Sequence, residues 1–166
     1  MTPVSIHLTV NGREHTLASE PCRTLLSLLR EDLGLTSVKE GCGQGDCGAC
    51  VVILNGQAVN ACLVFAAQAE GASILTVEGL AQDGALHPLQ ARFIERWAFQ
   101  CGYCTPGMLM SCYALLQHNP DPDEGQIRDA IAGNLCRCTS YQGVVDAVQA
   151  AAADLRAGKT PAGAAP

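Results

Sequence analysis

The chain has 166 residues, and its 10 basic and 16 acidic side chains give a formal charge of −6. That length holds one compact domain or two small ones, each too small to bury a large core unaided. An acidic balance without Lys/Arg runs and with few aromatics argues against a nucleic-acid partner, and no apolar run approaches the length needed for membrane insertion. The start, "MTPVSIHLTV", lacks a basic segment followed by an apolar core, so the chain is read as cytoplasmic. In a reducing compartment its 10 cysteines mean metal or redox chemistry rather than disulfides.

The first half reads as strands. "SIHLTVNGREHTL" alternates apolar and polar residues around Asn11-Gly12, a two-residue hairpin signal. "TLLSLLREDLGL" predicts a short amphipathic helix that stops at Gly34. Next comes "KEGCGQGDCGACVVILNGQAVNAC", in which Cys42, Cys47 and Cys50 are spaced C-x4-C-x2-C, with Cys62 following after eleven intervening residues. This is the plant-type ferredoxin spacing for a 2Fe-2S cluster. A hairpin through Asn55-Gly56 would pair Val51 with Asn60 and so bring Cys62 beside Cys50. Gly41, Gly43, Gly45 and Gly48 suit a loop wrapped closely round a cluster, with N–H groups free to point at sulfur. A zinc site, or a flexible loop with incidental cysteines, is the alternative. "SILTVEGL" adds a strand, completing a small mixed sheet with one helix across it.

A domain boundary is placed within residues 78–87, after which the pattern turns helical. Leu89, Phe93 and Trp97 recur every four residues, as do Ile127, Ile131 and Leu135. "GMLMSCYALL", apolar almost all round, predicts the most buried helix; "NPDPDEG" breaks the chain after it. The last helix carries Val144, Val145, Val148, Ala152 and Leu155 on one stripe, and the Ala/Gly/Pro tail is read as disordered. Four helices and a fold of α+β class follow, with units at residues 1–78 and 79–156 and a flexible tail at 157–166.

"QCGYCTPG" holds half of a second site, Cys101 and Cys104, and "NLCRCTSYQ" offers Cys136 and Cys138. A helix over residues 105–118 runs out about 20 Å and one over 123–133 returns about 16 Å, so an antiparallel pair closes the site. Thr105-Pro106 is read as N-cap and first helical residue, and Thr139 with Gln142 as a capping box. Two helix N-termini would then face the site and favour its negative charge. A 2Fe-2S cluster and a four-thiolate zinc both carry about −2, so charge does not separate them, although C-x-C is less usual for zinc. A thioredoxin-like dithiol at Cys101 and Cys104 lacks the surrounding βαβ pattern.

The remaining candidates have plainer readings. Cys112 is a small core residue and Cys22 a non-ligand. His7, His15, His87 and His118 show no ligand spacing, and Trp97 is assigned to core packing or to shielding the cluster. Arg137 either offsets cluster charge or is solvated, and Gly102 and Gly107 answer backbone needs.

"KEGCGQGDCGAC", "FQCGYCTPGM" and "GNLCRCTSY", in this order over about residues 3–155, resemble the small iron–sulfur subunit of the molybdenum hydroxylases. That is the xanthine dehydrogenase, aldehyde oxidoreductase and carbon monoxide dehydrogenase family. The resemblance implies a β-grasp ferredoxin-like domain holding one 2Fe-2S cluster through Cys42, Cys47, Cys50 and Cys62. It implies a four-helix-bundle domain holding a second through Cys101, Cys104, Cys136 and Cys138. It also implies a large subunit carrying molybdopterin as its cytosine dinucleotide, a medium FAD subunit, and a dimer of heterotrimers.

On the same resemblance, Gln100 hydrogen-bonds the pterin and Cys138 is the ligand closest to it. Electrons from an N-heteroaromatic compound or an aldehyde pass from the pterin through the two clusters to FAD or another acceptor. Carbon monoxide oxidation and aromatic acyl-CoA reduction are variants of the architecture. Ser140 departs from the glycine usual there. No catalytic base, nucleophile or open metal position is seen in this chain beyond the thiolates, so the activity belongs to the complex. The competing readings are a free-standing ferredoxin-like carrier with a structural zinc in its helical part, and a scaffold whose metals only stabilise small cores.

Overall fold

The computed structural model describes residues 2–138 and 141–158. Its first half is a five-stranded sheet in the order β2-β1-β5-β3-β4. Strands β1 (Val4–Val10) and β2 (Arg13–Ser19) form the first hairpin, with Val10 opposite Arg13. Asn11 and Gly12 both take positive φ, 50° and 77°, as a type I′ turn demands. Along β1 the alternate residues Ile6, Leu8 and Val10 are buried.

Helix α1 opens at Leu25–Ser27, where the Thr24 hydroxyl accepts the Ser27 N–H at 3.2 Å, and widens into a π-type turn over Leu28–Asp32. Leu25, Leu26, Leu28 and Leu29 are buried against the sheet, and each contributes about 1.5–3 kcal/mol. Gly34, at φ 68°, turns the chain out of the helix.

Strands β3 (Val51–Leu54) and β4 (Gln57–Asn60) form the second hairpin with Val51 opposite Asn60, the register expected from Asn55-Gly56. Strand β5 (Ser73–Leu75) runs parallel to β1 and antiparallel to β3.

Four helices follow among the described residues: α2 (Pro88–Glu95), α3 (Thr105–His118), α4 (Glu124–Ala130) and α5 (Gln142–Arg156). Helix α3 is buried on two sides. Met108, Cys112 and Leu116 enter the helical core with Phe93, Ile127 and Val148, while Met110 packs on Ile53 and Leu80. Successive strand residues face opposite ways, so Val52 joins the core under α1 and Ile53 the seam under α3. The sheet therefore lies between α1 and α3.

Arg92 of α2 donates to Asp154 of α5 at 2.6 Å. Asp123 and Gln126 cap α4 reciprocally, each backbone N–H bonding the other's side chain.

Local expectations fail at four positions. Thr105 is the first helical residue of α3 rather than its cap; Cys104 holds that place, and the buried Thr105 hydroxyl makes no hydrogen bond. Trp97 is not core but 81% exposed. Helix α2 ends in a Schellman motif, in which Ala98 N–H bonds Phe93 O and Trp97 N–H bonds Ile94 O. Trp97 occupies its left-handed position at φ 51°, which turns the indole outward. Leu135 leaves the helical stripe and is exposed, because its N–H is drawn to Cys47 O. Leu155 lies at the exposed edge of its stripe. The proposed cap at Thr139, the substitution at Ser140 and the tail from 159 lie outside the described residues; α5 begins after Tyr141, which has φ 66°.

Candidate metal centres

The loop between α1 and β3 gathers the first thiols. The free thiol of Cys42 lies near that of Cys47 and the free thiol of Cys50 near that of Cys62, with Cys47 within electrostatic reach of Cys50. The hairpin expected to deliver Cys62 does so, since Ala61 N–H bonds Cys50 O at 3.2 Å. Backbone N–H groups of Gln44 and Asp46 point at Cys42 Sγ, at 3.5 and 3.3 Å. Bonds from the amides of Gln44, Cys47 and Asp46 lower that thiol to about 7, whereas burial pushes Cys50 up to about 12.

Gly41 is needed for space, because a Cβ there would sit 2.6 Å from Cys47 Sγ. Asn60 ties the loop to the hairpin by donating to Gly45 O at 3.0 Å, and Leu63 covers Gly45.

The second set gathers where α3 begins and the chain leaves α4, although α4 spans Glu124–Ala130 rather than the expected 123–133. Cys101 and Cys138 lie 3.6 Å apart, sulfur to sulfur, and the free thiol of Cys104 lies near that of Cys136. Cys101 interacts electrostatically with Cys104, and Cys136 with Cys138, so the pairs adjoin. Burial raises Cys104 to about 12, and the Cys101 side chain raises Cys138. Cys104 heads α3, and its carbonyl accepts the Met108 N–H at 3.0 Å.

Each set is thus two adjoining pairs of thiols, which fits a 2Fe-2S cluster, where each iron takes two thiolates and two sulfides. The inward amides and the space kept by Gly41 fit the same group. Cys112 stands apart, fully buried and pushed up to about 12 by that burial, as a core residue should be; Cys22 is exposed.

The two loops touch. Leu135 N–H, one residue before Cys136, bonds Cys47 O at 2.9 Å. Asn134 Nδ2 donates to Gly48 O at 2.9 Å. Tyr141 Oη accepts the Cys136 N–H at 2.7 Å and donates to Asn134 O at 3.1 Å. Tyr103 donates its hydroxyl to Glu40 O. Tyr103, Asn134 and Tyr141 carry no signal in the sequence beyond their position near the cysteines, and Asn60 is marked there only as the hairpin partner of Val51. Gln100 is exposed beside the exposed pair Cys101 and Cys138, and Arg137 is exposed as well.

Residues 8–76 match the 2Fe-2S iron-sulfur cluster binding domain and residues 76–149 the 2Fe-2S binding domain. The small FeS subunit of nicotinate dehydrogenase from Eubacterium barkeri is 53% identical over 85% of this chain and 90% of its own length. The small subunit of nicotine 6-hydroxylase from Paenarthrobacter nicotinovorans is 51% identical over 87% of each. The crystal structure of quinoline 2-oxidoreductase from Pseudomonas putida 86 superposes with a TM-score of 0.91 at 43% identity, covering 96% of this chain and 99% of that one. The chain belongs to the small 2Fe-2S subunits of the molybdenum hydroxylases. Small subunits of this family are the electron-transfer parts of oxidoreductase complexes, and their ferredoxin-like and helical halves are the two parts seen here. Among the described residues no helix is long and apolar enough to cross a membrane.

Proposed function

We propose that this chain holds two 2Fe-2S clusters and relays electrons from a molybdopterin site on a large partner subunit to FAD on a medium one. The first would be held by Cys42, Cys47, Cys50 and Cys62 in a β-grasp unit spanning residues 1–78. The second would be held by Cys101, Cys104, Cys136 and Cys138 in a four-helix bundle over 79–156. Each cluster, when bound, accepts and returns one electron.

The observation that carries this reading is the arrangement of the thiols, two sets of adjoining pairs whose loops meet through the Cys47 O to Leu135 N–H bond. The chain's own contribution is to tie the loops of both sets together through hydrogen bonds. It also places backbone amides near sulfur, where they favour the reduced state, and leaves one end of the helical site uncovered. At that end Gln100, Cys101 and Cys138 are exposed, which supports a large-subunit contact there with Gln100 and Cys138 nearest the pterin.

Relatives named for nicotinate, nicotine and quinoline, all N-heteroaromatic compounds, favour that substrate class over aldehydes. A cytoplasmic dimer of heterotrimers, with molybdopterin cytosine dinucleotide in the large subunit, is the assembly that the family resemblance supports.

Metal analysis of the purified complex tests the reading. About four irons and four acid-labile sulfides per copy of this chain, with two distinct EPR signals on reduction, are expected. Two irons with one zinc would replace it with the ferredoxin-like carrier. Gln100→Leu should slow electron entry into this chain while leaving its iron content unchanged; an unaltered entry rate would remove Gln100 from the contact.

A further inference from the structure

Asn134 is a buried polar side chain, 3% exposed, that belongs to neither thiol set. It stands two residues before Cys136, yet its amide reaches 86 positions back along the chain to Gly48 O, between Cys47 and Cys50. Its own carbonyl is held by Tyr141 Oη, which also takes the Cys136 N–H. Gly48, at φ 67°, permits this approach, since a Cβ there would lie 2.4 Å from Gly133 O and 2.5 Å from Asn134 Nδ2. From the other side Gly107 presses on the same carbonyl, with a Cβ there falling 2.1 Å from Gly48 O. The carbonyl of Gly48 is therefore held between two elements of the helical half. The adjoining Cys47 O to Leu135 N–H bond is the short link between the loops. Without Asn134 the contact would rest on that link, the Tyr103 hydroxyl on Glu40 O and the packing of Gly107.

We propose that Asn134, braced by Tyr141, is a positioning residue that locks the two ligand loops together and so fixes the separation of the two cluster sites. This rests on the reading that both loops carry clusters. It goes beyond that reading by assigning the spacing between the sites to a residue that ligates neither. The buried amide has a clear energetic reason to stay bonded, since an unpaired buried donor is costly. The electron gained by one site is the electron lost by the other, so the exchange needs no further reactant.

The test uses the full chain in its purified complex, as wild type, Asn134→Ala and Tyr141→Phe. Iron is measured first: a wild type with fewer than about four irons per chain removes the functional reading and this proposal with it. With iron and both midpoint potentials preserved, Asn134→Ala should slow electron exchange between the sites several-fold, because electron tunnelling weakens steeply as the sites draw apart. It should also weaken the magnetic splitting between the two reduced EPR signals and speed deuterium exchange at the Leu135 amide. Tyr141→Phe should move all three readouts in the same direction by less. Unchanged exchange and splitting in Asn134→Ala would overturn the proposal. So would loss of iron or of the folded state in both variants, because Asn134 would then be structural only.

Discussion

Gly107 shows what a missing side chain can do at close quarters. It sits in the first turn of α3 with its Cα against the backbone of Gly48 and Ala49. Gly107→Ala should destabilise the protein by about 1–3 kcal/mol, measured by urea denaturation, because both neighbours are backbone and cannot swing aside. His87 acts differently: its Nδ1 accepts the Leu89 N–H at 3.2 Å at the start of α2, its ring meets Tyr113 edge-on, and burial lowers its pKa below 6.5. The unfolded chain therefore takes up this proton first. The stability it contributes is fully present above pH 6.5 and is lost as pH falls toward the lowered folded value. The urea midpoint should drop as pH falls through 6.5, and His87→Asn, which keeps a cap, should flatten that part of the drop. The His87 cap is a local hydrogen bond to Leu89, while its packing against Tyr113 and the pressure of Gly107 on Gly48 and Ala49 come from residues farther along the chain and leave no local signal.

At the scale of elements, the Asn55-Gly56 hairpin was the most legible part of the molecule. A two-residue turn leaves one register, and that register sets Cys62 beside Cys50. Gly56 has φ 84° and open space where a Cβ would go. Gly56→Ala should thus cost about 1–2 kcal/mol from backbone conformation alone, with iron content unchanged; loss of iron would mean that the turn also guides the ligands. The tie between α2 and α5 through Arg92 and the largely buried Asp154 calls for a different test. Asp154→Asn should lower the thermal midpoint by a few degrees without altering the EPR signals. Helix ends were less legible than helix faces. Periodicity identified Leu89, Phe93, Ile127 and Ile131 as core, but it ran on through Trp97 and Leu135. What stops α2 is a left-handed residue, normally glycine, here tryptophan. What takes Leu135 out of its stripe is a carbonyl on the opposite loop.

For the whole molecule, cysteine spacing marked out Cys42, Cys47, Cys50 and Cys62 and the pairs Cys101/Cys104 and Cys136/Cys138, but the return helix expected over residues 123–133 is only Glu124–Ala130, and a turn closed by Asn134 N–H on Ile131 O carries the chain on toward Cys136. The contact between the loops had no sequence signal, since Asn134 and Gly48 are 86 residues apart. Joined loops need not mean joined fates. Cys136→Ser and Cys50→Ser should each halve the iron, from about four per chain to about two, and each abolish one EPR signal. Loss of both signals from either variant would show that neither site forms without the other.

The burial of the thiols runs in one direction across the molecule. Cys50 and Cys62 are buried, Cys42, Cys47, Cys104 and Cys136 are half-buried, and Cys101 and Cys138 are open to solvent. A chain separated from its partners therefore meets oxygen and chelators at the helical end first. Air or chelator should bleach the helical site well before the ferredoxin-like one, so the isolated subunit passes through a half-loaded form that keeps its sheet and has lost its entry point for electrons.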